Sequence, residues 1–248
     1  MRLVGHRGAA FEAPENTVDG FRYAIEIGVR AFEFDVHPTK DDRIVVIHDG
    51  TVDRTTNGTG AVSDFTLDAL QTLDARAGFS DWPTISRIPT LDDVLKAIAE
   101  IDYFEIEFKR YPVERLDPLV KGTLDAIRAH GLAEKAVVTS SEPYALYIAK
   151  RYAPEIRRGI NGAWITMAFA ELALDVGASQ AAIGIERVTD DMRRWLKEHG
   201  ISHTCWNINS EEAFEEARAR GIETLGTDRP AAVLSWLNAH PAPDGVEC

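Results

Sequence analysis

Charged side chains alternate with apolar ones along two segments of the sequence. One segment carries Glu33, Asp35 and His37 at every second position, and another carries Glu105, Glu107 and Lys109. Successive side chains of a strand point to opposite faces, so each trio faces one side of its strand. Carboxylates that face one another repel strongly unless they are protonated or bind a cation. Oxygen ligands without thiols suit a hard divalent ion, namely Mg²⁺, Ca²⁺ or Mn²⁺.

Two histidines stand at the ends of strand-like segments. His6 ends the first segment of the chain, and His48 ends the segment that follows Asp42. Histidines beside a metal-binding cluster can supply the acid and the base for phosphoryl chemistry. The residues alone therefore indicate metal-assisted hydrolysis of a phosphate ester, and they do not name the substrate.

These residues lie in a chain whose short apolar segments alternate with amphipathic helical patterns. The predicted strands cover 3–6, 31–37, 43–48, 103–109, 136–140, 156–160, 181–185, 202–208 and 224–227. Alternation to a count near eight favours a closed barrel over an open sheet. We predict an α/β fold of the TIM-type (β/α)8 class, formed by residues 1–248 as a single domain. In such a barrel the strand ends meet at one rim, where barrel enzymes carry their chemistry.

Composition narrows the class of protein. The chain has 248 residues, of which 45% are hydrophobic, and a formal net charge of −13. This charge argues against nucleic-acid binding, and it requires local positive charge at any phosphate site.

The two cysteines, Cys205 and Cys248, favour a reducing compartment over a disulfide framework. With no secretory signal and no apolar segment near ~18 residues, we expect a cytoplasmic protein without stable membrane association.

Ordered motifs extend over nearly the whole chain. They are His6-Arg7-Gly8, Pro14-Glu15-Asn16-Thr17, the segment 33–41, His48-Asp49, the segments 53–60 and 88–91, Ile106-Glu107-Phe108-Lys109, Trp206-Asn207-Ile208-Asn209 and Thr227-Asp228-Arg229-Pro230. Each motif alone is weak, but the ordered set resembles the glycerophosphodiester phosphodiesterase family. The resemblance implies a TIM barrel with a small insertion after the His48 strand, at about 50–87.

The resemblance also implies roles for particular residues. Glu33, Asp35 and Glu107 would hold one divalent metal ion. His6 and His48 would act as acid and base, and the basic side chains of Arg7 and Lys109 would bind the phosphate oxygens. The family cleaves glycerophosphodiesters to an alcohol and sn-glycerol 3-phosphate. In a commonly proposed course the glycerol 2-hydroxyl attacks phosphorus, and water then opens the resulting cyclic phosphate. Trp206 is expected either to line the glycerol pocket or to pack at the barrel top.

Three other functions stay open. The same site could act on a lysophospholipid or a sugar-phosphate diester, or release the cyclic phosphate as a lyase. A lipid substrate would need an apolar lid, for which the segment 77–88 with Phe79, Trp82 and Ile85 is the candidate. A non-catalytic barrel that binds phosphate esters is a further alternative. Separately, Glu33 and Asp35 could be rim charges paired with Arg7 and Lys109 in an ion network.

Several residues receive structural interpretations. We expect Glu15 and Asn16 to cap and orient the first helix, with contact to the site as the alternative. We expect Asp228 and Arg229 to form a turn before Pro230, and Cys205 to be an inert packing thiol. The segment 54–60 is interpreted as a turn with a lid as the alternative. Glu105 is expected behind the metal ligands, and His37 is expected at the edge of the site.

Overall fold

The structure, a computed structural model, describes residues 1–162 and 167–240. The strands are β1 (Arg2–His6), β2 (Ala31–Pro38), β3 (Ile44–Val46), β4 (Tyr103–Phe108), β5 (Ala136–Ser140), β6 (Arg157–Asn161), β7 (Gln180–Gly184), β8 (Ser202–Trp206) and β9 (Thr224–Thr227). The helices are α1 (Val18–Glu26), α2 (Leu67–Leu70), α3 (Leu91–Ala97), α4 (Val113–Ala129), α5 (Pro143–Tyr152), α6 (Met167–Asp175), α7 (Asp190–Glu198), α8 (Glu211–Ala219) and α9 (Pro230–Ala239). The predicted start of a helix at Thr166 and the position of Cys248 lie outside the described residues. In these two ranges no helix is long and apolar enough to cross a membrane.

Eight parallel strands close into a barrel. The order β1-β9-β8-β7-β6-β5-β4-β2 is completed by pairing of β1 with β2. At that closure Gly5 lies opposite Phe32, and His6 lies opposite Glu33. The predicted TIM-type (β/α)8 barrel is therefore confirmed.

The strand β3 is not one of the barrel strands. It runs antiparallel to β2, with Val36 opposite Val46 and Pro38 opposite Ile44. The chain rises with β2 above the rim, turns back at Asp42, whose φ is 56°, and descends to His48. The expectation that His48 ends a barrel strand was wrong. His48 reaches the rim from a hairpin, because an apolar pattern does not encode the direction of a strand.

The alternation along β2 and β4 divides apolar from charged side chains. Phe34 and Phe104 point to the helix layer, where their rings stack with centroids 6.0 Å apart and both side chains are fully buried. The intervening residues point into the barrel. The register places Glu33 opposite Glu105, and Asp35 opposite Glu107. Burial of the phenylalanine face thus fixes the acids on the inner face, because a shift by one residue would exchange the two faces.

The chain between β3 and α3 folds on a second apolar cluster. Its buried side chains come from β3 and from the following segment: Val45, Ile47, Val52, Val62, Leu70, Ala75 and Ile88. Trp82, from the same segment, packs against the main core instead. Its ring lies edge-on to Tyr23 of α1, with ring centroids 5.9 Å apart. This part of the chain therefore rests against the outside of the barrel beside the rim.

We predict that Gly5→Ala disturbs the loop that carries the first histidine. A Cβ at Gly5 would lie 2.3 Å from the Gly8 carbonyl oxygen and 3.1 Å from the Phe32 ring. The loop must move, at a cost of about 1–3 kcal/mol in the free energy of unfolding and with a loss of turnover. Gly131→Ala is the control, since its φ of 69° adds strain while nothing lies within 4 Å. Thermal unfolding and turnover check both variants, and equal activity of the two would contradict the prediction.

Candidate active site

Three carboxylates meet inside the upper end of the barrel. One oxygen from each of Glu33, Asp35 and Glu107 lies within 4.8 Å of the others. Glu33 and Asp35 are buried, and Glu107 is half-buried. Glu33 Oε2 is enclosed by protein and has no hydrogen-bond partner among the described residues. A buried acceptor without a donor fits a cation ligand, and three carboxylates with water suit a hard divalent ion.

The negative charges in this cluster lie close enough to change the pKa of neighbouring carboxylates. Burial, together with the charges of Asp35 and Glu107, raises the pKa of Glu33 well above its usual range. Burial also opposes ionisation of Asp35, but the Lys109 ammonium, followed by His48 and Arg7, lowers the pKa of Asp35 overall. The cluster thus keeps one carboxylate charged and favours a proton on another. A divalent cation would replace that proton and remove the repulsion.

Two cations border the cluster. Lys109 Nζ lies 2.7 Å from Asp35 Oδ1 and 3.1 Å from Glu107 Oε2. Arg7 Nε lies 3.7 Å from Asp35 Oδ2. Arg7 holds a left-handed φ of 53°, directly after β1. Both residues predicted to bind phosphate thus lie beside the acids, and both also line the cavity above them.

Glu15 and Asn16 do not cap the first helix. Thr17 is the N-cap of α1, since its side chain accepts a hydrogen bond from Gly20 N at 3.0 Å. Asn16 Nδ2 instead donates to Asp35 Oδ2 at 3.1 Å. The capping expectation was wrong by one or two positions, because an acid and an amide next to a threonine offer three candidate caps.

His6 forms a pair with Asp228 from the last strand's end. His6 Nδ1 lies 2.5 Å from Asp228 Oδ1. The other carboxylate oxygen accepts hydrogen bonds from Asn207 Nδ2 at 3.0 Å and from Asn209 Nδ2 at 2.6 Å. Burial opposes ionisation of Asp228, but the hydrogen bond and charge of His6, together with the hydrogen bond from Asn209 and the charge of Arg7, lower its pKa overall. His6 Nε2 therefore faces the acids, 3.7 Å from Glu33 Oε2.

The assignment of Asp228 to a simple turn overlooked this pair. His6 and Asp228 are 222 positions apart in the chain and become neighbours only when β1 pairs with β9. The sequence does place Asp228 directly after a predicted barrel strand. Side chains at such positions lie on the rim where barrel enzymes carry their chemistry.

His48 forms a second pair of the same kind. Its Nδ1 lies 2.6 Å from Asp49 Oδ1, and both side chains are about one-third exposed. A hydrogen bond from Arg54 lowers the pKa of Asp49 to about 2. His37, by contrast, is buried, and its Nε2 lies 2.9 Å from the His48 carbonyl oxygen. His37 supports the backbone of His48 and does not enter the cavity.

Glu105 and Cys205 are not part of the group of three carboxylates. Glu105 Oε1 accepts hydrogen bonds from Tyr103 and Thr204 at 3.0 and 3.2 Å. Burial raises the pKa of Glu105. Burial likewise raises the pKa of Cys205 to about 12, which leaves the thiol protonated and inert.

A cavity of about 610 Å³ at the rim is lined by most of the predicted site residues. Trp206 is on its wall, edge-on to His6 with ring centroids 5.2 Å apart. The lining holds every predicted site residue except the two most deeply buried acids: His6, Arg7, His48, Glu107, Lys109 and Trp206. Glu33 and Asp35 lie beneath it. A small phosphate ester fits a cavity of this volume and charge.

Comparisons with known proteins point to one family. The family model described as the glycerophosphoryl diester phosphodiesterase family matches residues 6–232. A glycerophosphodiester phosphodiesterase of Caldanaerobacter subterraneus subsp. tengcongensis is 33% identical, over 95% of this chain and 97% of its own. A phosphodiesterase structure from Oleispira antarctica in complex with its product sn-glycerol-3-phosphate has a TM-score of 0.89 at 25% identity, covering 96% and 97% of the two chains. A glycerophosphodiester phosphodiesterase from Agrobacterium tumefaciens has a TM-score of 0.80 at 26% identity, over 94% and 99%.

The chain belongs to the glycerophosphoryl diester phosphodiesterase family. The predicted resemblance and the predicted enzyme class, a phosphoric diester hydrolase, are confirmed.

We predict that a divalent cation stabilises the fold through Glu33 and Glu107. At a hundredfold excess over Kd, binding contributes about 2.7 kcal/mol, which corresponds to a rise in Tm of roughly 5–10 °C for a chain of this size. Glu33→Gln should abolish the rise. It should change the metal-free Tm little, because the pKa of Glu33 already favours its neutral form.

Glu105→Gln is the matched control, as an equally buried glutamate on the same inner face. It should keep the metal-induced rise in Tm, measured by differential scanning fluorimetry with Mg²⁺, Ca²⁺ or Mn²⁺ after chelation. Loss of the rise in this variant would place Glu105 among the ligands and contradict the assignment.

Proposed function

We propose that the protein hydrolyses glycerophosphodiesters to an alcohol and sn-glycerol 3-phosphate, with a divalent cation and two histidines. The observation that carries the proposal is the arrangement around one cavity: three acids below, two cations beside them, and two histidines each paired with a carboxylate. Membership of the family supports the reaction class. The substrate would be a small molecule, and we expect no nucleic-acid partner at a net charge of −13.

Glu33, Asp35 and Glu107 would hold the cation, either Mg²⁺ or Ca²⁺, with Mn²⁺ as a further possibility. When bound, such an ion neutralises phosphate charge and stabilises the oxygen charge that develops during the displacement. Arg7 and Lys109 would bind the remaining phosphate oxygens. Lys109, which lies beside Asp35 and Glu107 on the cavity wall, would present its ammonium to a phosphate in the cavity.

The two histidines would move the protons. Each binds a carboxylate through Nδ1, which leaves Nε2 as the nitrogen able to exchange a proton with the substrate. In the proposed course one histidine takes the proton of the glycerol 2-hydroxyl as that oxygen attacks phosphorus. The other protonates the leaving alkoxide, and the resulting cyclic phosphate is then opened by water.

The lipid alternative receives no support from the segment 77–88. Trp82 packs against Tyr23, and Phe79 packs against Trp82, with ring centroids 6.4 Å apart. In the described part of the chain, neither these residues nor Ile85 lines the cavity. The segment covers the side of the barrel, so we propose a water-soluble diester as the substrate. A cytoplasmic location stays a prediction.

The proposal is tested by hydrolysis of a panel of glycerophosphodiesters, followed by phosphorus NMR after chelation and after re-addition of each metal. We expect metal-restored release of glycerol 3-phosphate. Accumulation of a stable cyclic phosphate would convert the assignment to a lyase, and no turnover with any metal would favour the binding barrel.

We predict that His6→Ala and His48→Ala each lower kcat by about 10²–10⁴, the usual contribution of an acid or base group. His130→Ala is the control, because His130 Nε2 forms a similar pair with Asp92 Oδ1 at 2.8 Å on the helix surface. Steady-state kinetics with glycerophosphocholine measure the effect. A normal rate in either site variant removes that histidine from the mechanism.

Asp228→Asn should also lower kcat, by about 10²-fold or more, while KM changes less. Asp228 accepts a hydrogen bond from His6 on one oxygen and from two amides on the other. An asparagine can present its oxygen to only one of these sides, so either His6 loses its acceptor or the amides face another NH₂ group. Asp92→Asn, at the control pair, should leave kcat unchanged. A normal kcat for Asp228→Asn would show that His6 needs no orienting carboxylate.

A further inference from the structure

One arginine of the segment after β3 binds two carboxylates at once. Arg54 Nε donates to Asp49 Oδ2 at 2.7 Å, and its Nη2 donates to Asp49 Oδ1 at 3.2 Å. The same guanidinium donates to Glu15 Oε2 at 2.5 Å and to Glu15 Oε1 at 2.8 Å. Glu15 comes from the loop between β1 and α1, so Arg54 joins two segments that are 39 positions apart.

Each of these carboxylates also binds a residue of the proposed chemistry. Asp49 Oδ1 lies 2.6 Å from His48 Nδ1. Glu15 Oε1 accepts a hydrogen bond from Arg7 Nη1 at 3.2 Å. A continuous series of contacts therefore runs Arg7, Glu15, Arg54, Asp49, His48. It links a proposed phosphate-binding side chain to a proposed proton-transfer side chain, both of which line the cavity.

The backbone that presents Arg54 is itself fixed. Val52 is fully buried in the second apolar cluster, and its amide donates to the Gly60 carbonyl at 3.0 Å. Thr56 Oγ1 donates to the Val52 carbonyl at 2.7 Å. Arg54 thus stands on a closed turn whose base is packed, which is the kind of support a precise contact needs.

The exposure of these groups separates a positioning role from a role in stability. The Arg54 side chain is 45% exposed and Asp49 is 29% exposed, whereas Glu15, at 13%, is largely covered. Exposed ion pairs contribute only about 0–1 kcal/mol to the free energy of unfolding. Without Arg54, however, the carboxylate of Asp49 could rotate away from His48 in solvent. The contacts therefore serve orientation more than folding.

We propose that Arg54 is a positioning residue, which orients His48 through Asp49 and Arg7 through Glu15. The segment after β3 then contributes to the chemistry and does more than cover the barrel. This inference rests on the proposed roles of His48 and Arg7. A planar guanidinium is required, because only a fork of donors can bind both carboxylates in this geometry.

The experiment compares Arg54→Ala, Arg54→Lys and Arg76→Ala. Arg76 belongs to the same segment and forms a similar bidentate pair with Asp74 at 2.9 and 2.7 Å. Its other side-chain hydrogen bond goes to the Trp82 carbonyl, so Arg76 is not joined to a residue of the proposed chemistry. We expect Arg54→Ala to lower kcat roughly 10- to 100-fold, the scale of a misplaced catalytic group, while Tm changes by no more than about 2 °C. Arg54→Lys should recover only part of kcat, and Arg76→Ala should keep all of it.

Two further measurements test whether Arg54 acts through Asp49. Methylguanidinium should restore turnover to Arg54→Ala, and methylammonium at equal ionic strength should not. The double variant Arg54→Ala with Asp49→Asn should lose little more than the stronger of the two single variants, because residues acting on one partner are not additive.

Three outcomes overturn the inference: normal kcat in Arg54→Ala, full recovery with lysine, or additive losses in the double variant. If Arg54→Ala fails to fold, as judged by circular dichroism, Arg54→Lys and its double variant with Asp49→Asn decide the question. His48→Ala separates this inference from the proposed function. A dead His48→Ala beside a normal Arg54→Ala rejects only the inference, whereas an active His48→Ala rejects the proposed mechanism itself.

Discussion

Repulsion among carboxylates that share the inner face of the barrel is the constraint on which the rest of the site depends. Glu33, Asp35 and Glu107 are held within 4.8 Å because the register of β2 and β4 leaves them no other direction. Their phenylalanine neighbours bury the opposite face, so the strands cannot turn the acids outward without exposing that core. The fold therefore brings like charges together, and their repulsion must be relieved by a cation, a proton or basic side chains. Lys109 and Arg7 relieve part of this repulsion, and they are also the groups an incoming phosphate would need.

The two histidines show how the same orienting device can be built in two environments. Asp228 is buried and is held by the neutral amides of Asn207 and Asn209. Asp49 is about one-third exposed and is held by the guanidinium of Arg54. Neutral donors suffice where the barrel fixes the partners, since buried hydrogen bonds are not exchanged with water. At the rim a charged guanidinium with several donors is needed, because a single hydrogen bond there would compete with solvent.

The sequence was sufficient for features that depend on local pattern. Alternation predicted the inner face of β2 and β4, and the predicted bounds of β5 and β9 agree with the structure. It failed where the answer depends on neighbours that are distant in the chain. The antiparallel direction of β3 and the pairing of His6 with Asp228 arise from how the chain folds back or closes, and no local pattern carries that information. The helix cap was misplaced for a different reason. Glu15 and Asn16 are drawn to Arg7, Arg54 and Asp35 instead, which leaves Thr17 to cap α1.

The proposed site residues occupy one side of the cavity, and this placement follows from the order of the strands. The cations, acids and histidines of the proposed site come mostly from β1, β2, β4 and the segment after β3. The opposite wall has the small residues Gly162, Ala182 and Gly184 next to the charged residues Glu186 and Arg187. A Cβ at Gly184 would lie 2.6 Å from Glu186 Oε1, so this exposed carboxylate lies over the glycine. The two sides meet where Trp206 stands edge-on to His6, next to the contact of His6 with Asp228. In the proposed mechanism Trp206 would therefore pack on the histidine that Asp228 orients, at the junction of the cavity wall and a proton-transfer group.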